Sequence, residues 1–108
     1  MDGAVYQNGV LRVPVNGEID HHGARVWRDE LDELIRVHRP RELLLDLHGV
    51  AFMDSAGLGL LLGRYRHMCT LGGRLVLLHA PASCVKMLRL SGADRFIYLK
   101  EERKEESV

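Results

Sequence analysis

The chain has 108 residues, close to the commonest single-domain size, so it can bury roughly 65% of its unfolded surface in one core but cannot build two ordinary domains. Fifteen basic and fifteen acidic side chains cancel, and no Lys/Arg block interleaved with aromatics occurs, which argues against nucleic acid and anionic membrane as partners. No apolar run approaches the ~20 residues of a membrane span, and the N-terminus lacks a basic segment followed by an apolar one, so a cytoplasmic protein is expected.

In chain order, the first signal is "AVYQNGVLRVPV", two β-rich runs meeting at Asn8-Gly9, a pair suited to a type I′ hairpin turn. Leu11, Val13 and Val15 share one face of the second run, and Pro14 predicts that this strand lies near an edge or ends there. Ala24, Trp27, Leu31, Leu34 and Ile35 then recur at helical spacing, which predicts an amphipathic helix of about four turns with Asp20 as its N-cap and Pro40 as its stop. "ELLLDL", residues 42–47, is short and continuously apolar apart from its charges, the pattern of a strand buried by parallel pairing.

A second helix is predicted from Ser55 to about Thr70, with Leu58, Leu61, Leu62, Tyr65 and Met68 inward, Arg64 and Arg66 in solvent, and Gly72-Gly73 as its end. "RLVLLH" reads as another buried strand. Pro81 opens and Gly92 closes a third helix, "RFIYL" is a last strand, and residues 100–108 form a charged tail outside a core of about 4–99. Trp27 and Tyr65 are expected in the core, as are both thiols, Cys69 and Cys84. The alternation predicts one α/β domain over residues 1–108: a mixed β-sheet with an N-terminal hairpin, right-handed βα crossovers and helices packed on the sheet.

Functional residues of such sheets gather beyond the carboxyl ends of the parallel strands, where Asp20 and Ser55 both fall. Local spacing leaves several roles open for Ser55. Asp54 or Ser55 could simply cap the helix. A serine nucleophile would need a histidine base, but none of the six histidines stands at a diagnostic spacing, and Met53 replaces the glycine of a nucleophile elbow. A phospho-acceptor receiver domain would need an acceptor aspartate at a strand end, whereas Asp46 lies inside its strand. A regulatory phosphate is favoured electrostatically at a helix N-terminus and would leave the fold intact while changing what docks over it. Gly57 and Gly59 would leave clearance for another backbone or a phosphate. His21 and His22 are adjacent and badly spaced for joint metal ligation, and no cofactor or metal is called for.

At "FMDSAGLGLLLGRYR" the chain resembles the STAS-domain anti-sigma factor antagonists, most nearly the anti-sigma F antagonists of sporulation. "GEIDHH", residues 17–22, resembles the family's stretch before its first helix, and "LGGRLVLLHAPASCVKMLRLSG" its next strand and third helix; the likeness runs from about Val10 to Leu99. The resemblance implies a non-enzymatic partner switch. The unphosphorylated antagonist binds an anti-sigma factor that is also a serine kinase, the sigma factor is released, the kinase phosphorylates Ser55 and lets go, and a phosphoserine phosphatase resets the protein. It also implies a kinase-binding surface at Asp20, His21, Asp54, Gly57, Leu58 and Gly59, on a protein monomeric when free. Ala56, where relatives often carry a second hydroxyl, leaves Ser55 as the only one in the motif. A general-stress antagonist or scaffold with a different switch kinase is the nearest alternative, and a small serine hydrolase a remote one.

Overall fold

The computed structural model describes residues 3–100. Five strands and three helices follow one another as β1 (Val5–Gln7), β2 (Val10–Ile19), α1 (His21–His38), β3 (Glu42–Met53), α2 (Ser55–Thr70), β4 (Arg74–Leu78), α3 (Ala82–Ser91) and β5 (Tyr98–Lys100). A single 3-10 turn, Ala93–Arg95, precedes β5. β1 and β2 are antiparallel, and β2, β3, β4 and β5 pair in parallel. Strand order in the sheet is the order in the chain. Successive right-handed crossovers that always step in the same direction place their helices on one face.

Leu11, Val13, Leu43, Leu45, Leu47, Leu75 and Leu77 point to that face and form one core with Leu31, Ile35, Leu61, Met68 and Leu88 of the helices. The opposite face keeps a small apolar cluster of Leu44, Val76 and Leu78. Ion pairs flank it: Arg12 with Asp46 at 3.2 Å and Arg74 with Glu42 at 2.8 Å.

The hairpin turns at Asn8-Gly9, whose φ angles of 54° and 82° are those a type I′ turn demands. Pro14 does not end β2. β1 pairs only as far as Arg12, so Pro14 occupies a stretch of β2 that has no outer neighbour, where its missing N–H is tolerated. β3 runs to Met53, six residues beyond the expected Leu47. Its register against β2 slips between Pro14 and Asn16 and again between Gly17 and Glu18, each time by one extra residue in β3. These two bulges replace the two-residue alternation by a three-residue spacing, with Leu47, Val50 and Met53 buried. The expected apolar run was therefore only the regular half of the strand.

The first helix is five turns rather than four, because it starts directly at His21 and ends at Arg39 in the left-handed conformation, φ 45°, just before Pro40. α2 has the predicted limits. α3 is closed by Gly92 at φ 81°. The last strand is shorter than "RFIYL": Arg95 closes the 3-10 turn and the ladder begins at Tyr98. Trp27 and Tyr65 pack partly buried against the core, while Cys84 is buried and Cys69, on the last turn of α2, is exposed. Of the charged tail, only Lys100 is described, as the end of β5. No helix among the described residues is long and apolar enough to cross a membrane.

Candidate functional site

β2 and β3 end side by side, and their last residues hand over to α1 and α2. Asp54 N–H donates to Ile19 C=O across this junction at 3.5 Å, so the Asp20 and Ser55 loops form one surface. The two helix starts are built alike. Asp20 Oδ1 accepts from Gly23 N–H at 2.9 Å, and Asp54 Oδ1 accepts from Ala56 N–H at 2.8 Å. Both aspartates hold extended backbone angles and offer a carboxylate to amides that a first helical turn leaves unpaired.

The cap of α2 is thus Asp54, and Ser55 takes no part in it. Ser55 is exposed as the first residue of α2, and its hydroxyl makes no hydrogen bond among the described residues. No histidine bonds it either, so the arrangement a serine nucleophile requires is not assembled there. The positive end of a 16-residue helix favours an anion at this position, although Asp54 already takes the Ala56 amide through its carboxylate and the Gly57 and Leu58 amides through its carbonyl.

The neighbours divide by role. Gly57 is buried, and a Cβ there would lie 2.2 Å from Met53 Cγ and 3.2 Å from Ile19 C=O. Its missing side chain lets α2 sit on the ends of β2 and β3, which corrects the expectation of clearance for a partner. Gly59 is exposed with nothing within 4 Å of its absent side chain, so clearance there is real. Leu58 packs half-buried against the core, and His21 is exposed at the start of α1. Phe52, which sequence reasoning passed over, is 52% exposed two residues before the cap. The bulges of β3 turn it outward, a feature no local pattern announces.

Arg64 departs most from expectation. It is only 8% exposed, because α2 lies against α1 as well as against the sheet. Its Nη1 donates to Arg28 C=O at 3.5 Å, and its Nε stands 3.3 Å from Asp32 Oδ1. That contact is an ion pair without hydrogen-bond alignment, so Nε is buried and unsatisfied. The same Asp32 oxygen lies 2.9 Å from His67 Nδ1. Arg64 and the N-terminal halves of α1 and α2 line a groove of ≈ 250 Å³ with His21, Arg25, Arg28, Ala56 and Gly59 among its walls.

Asp46, inside β3, is held by its surroundings on the helix-free face. Burial works to raise its carboxyl, but contacts with His79, His48 N–H and Arg12 outweigh it and hold the group below its ordinary value. Among the described residues, no three His, Cys, Asp or Glu side chains are grouped to hold a metal ion.

The STAS domain model matches residues 4–106. The anti-sigma F factor antagonist of Paenibacillus polymyxa is 36% identical over 81% of this chain and 74% of its own length. Among solved structures, the anti-sigma factor antagonist SpoIIAA in its unphosphorylated form is 26% identical, with a TM-score of 0.77 over 95% of this chain and 88% of that one. The Bacillus cell fate determinant SpoIIAA in its phosphorylated form is also 26% identical, with a TM-score of 0.73 over 95% and 91%. On the extent of these matches, which take in both capped loops and the sheet between them, the chain belongs to the STAS domain family and stands among its anti-sigma factor antagonists.

Proposed function

We propose that this protein is an anti-sigma factor antagonist switched by phosphorylation at Ser55. The unphosphorylated form binds an anti-sigma factor that is also a serine kinase, through the surface made by Asp20, His21, Asp54, Leu58 and Gly59, with Gly57 shaping it from within. Binding frees the sigma factor. The kinase then phosphorylates Ser55 and releases the protein, and a phosphoserine phosphatase restores it. The protein acts in the cytoplasm as a binding module of one domain, monomeric when free, without catalysis or cofactor of its own.

The observation that carries this reading is the separation of tasks at the start of α2. Asp54 caps the helix and leaves the Ser55 hydroxyl exposed and uncommitted. A phosphate there adds about −1.5 to −2 charges. The helix end accommodates them, so the fold persists while a partner docked over the loop meets new charge and bulk. Solved forms of SpoIIAA with and without its phosphate both superpose on this chain, which supports a fold tolerant of either state.

The test is incubation with the anti-sigma serine kinase of the same organism and ATP. Wild type should gain one phosphate and lose affinity for the kinase, whereas Ser55→Ala should gain none and still bind. Phosphate on another residue, or a Ser55→Ala protein that is folded yet does not bind, would overturn the assignment.

A further inference from the structure

We propose that the groove between α1 and α2 is a carboxylate-binding subsite that receives an acidic side chain of the anti-sigma partner, with Arg25 as its principal cation. The proposal rests on the antagonist function above and adds the chemistry by which the partner is held. The groove runs from Ala56, the residue after Ser55, along the facing stripes of two helices, with His21, Arg25 and Arg28 on one wall and Ala56, Gly59 and Arg64 on the other.

Three observations converge on it. The whole chain is neutral, yet three guanidinium groups meet here. Their compensation is incomplete: Arg28 pairs with Asp29 at 3.4 Å and Arg64 with Asp32 at 3.3 Å, but Arg25 has no ion pair among the described residues. Arg64 is buried with its Nε lacking a hydrogen bond, a state that raises the local demand for negative charge. The small Ala56 and Gly59 leave the α2 wall low enough for a side chain to enter.

The location ties the groove to the switch. Ser55 and Gly59 are four residues apart on α2 and share a face. A phosphate on Ser55 therefore brings its charge to the mouth of the groove and competes with the partner's carboxylate for Arg25. Release then follows from occupation of the cation as well as from bulk.

The experiment measures the dissociation constant of the unphosphorylated protein for the anti-sigma serine kinase of the same organism, at about 50 mM and about 500 mM sodium chloride. Arg25→Glu should weaken binding by roughly tenfold or more at the lower salt, Arg25→Lys by roughly threefold or less, and the gap from wild type should narrow at the higher salt. Arg25 is exposed on the second turn of α1, so an unchanged thermal midpoint verifies that Arg25→Glu is folded. Binding of Arg25→Glu within twofold of wild type, or a loss independent of salt, would overturn the groove while leaving the antagonist function standing. Failure of wild type to bind the kinase would instead overturn the function, and the groove's occupant with it.

Discussion

Replacing Asp54 and Ser55 separately by alanine distinguishes the residue that caps α2 from one that takes no part in the cap. Asp54→Ala removes the acceptor of the 2.8 Å bond from Ala56 N–H and the anion at the positive end of a 16-residue helix. Loss of the cap costs about 1 kcal/mol and loss of the charge up to about 0.5 more. For a chain near 100 residues the unfolding entropy is about 0.2 kcal/mol per degree, so about 1.5 kcal/mol lowers the thermal midpoint by about 7 °C. In urea the same change moves the midpoint by roughly 0.5–1.5 M. Ser55→Ala deletes an exposed hydroxyl without a partner and should stay within about 0.5 kcal/mol of wild type. Circular dichroism during thermal and urea unfolding measures both. If Ser55→Ala falls as far as Asp54→Ala, the serine is itself a cap and the division of tasks at this helix end is wrong.

The two motif glycines should respond oppositely. Gly57→Ala forces a methyl to 2.2 Å from Met53 Cγ and should destabilise by about 1–3 kcal/mol, whereas Gly59→Ala, in open space, should stabilise by up to about 1 kcal/mol; thermal unfolding reads both. Asp32→Ala strips Arg64 of its counter-charge, and because Asp32 is 39% exposed the loss should be about 1–2 kcal/mol rather than the full cost of a buried pair; Glu33→Ala, on an exposed pair with Arg36, should leave the urea midpoint unchanged. The lowered carboxyl of Asp46 stabilises the fold fully above the ordinary aspartate value of about 4, and that contribution disappears as pH falls through the lowered folded value. The stability gap between wild type and Asp46→Asn should accordingly shrink on acidification below that point, and a gap constant with pH would refute the pairing. Burial pushes the Cys84 thiol up to about 11, so a disulfide reagent at mild alkaline pH should label exposed Cys69 in the native protein and Cys84 only after denaturant is added.

What the sequence made legible was whatever depends on near neighbours. The turn at Asn8-Gly9, the cap at Asp20, the limits of α2 and the Pro81 and Gly92 ends of α3 each follow from one or two residues whose backbone preferences leave little choice. The second half of β3 was hidden because its bulges depend on pairing with β2, and the resulting three-residue burial spacing resembles neither a strand nor a helix. Arg64 was placed in solvent because its charge suggested an outer face, but α2 meets α1 as well as the sheet, and only tertiary contact makes a second inner face. The same limit applied to Cys69 and to the outward turn of Phe52. The placement of Asp20 and Ser55 at strand-to-helix loops was legible in the sequence, and the junction of those loops through Ile19 was not.

Strand order that repeats chain order also has a kinetic meaning. No strand of this sheet has to be inserted between two that are already paired, so the sheet can grow by accretion at one edge, each βα unit adding to the last. β2, β3 and the helices they carry are all present once the chain has reached Thr70, with β4, α3 and β5 still to be made. The junction of the two capped loops can therefore assemble on the nascent chain before the far edge of the sheet is synthesised, and the late, three-residue β5 closes a structure whose two capped loops are already in place.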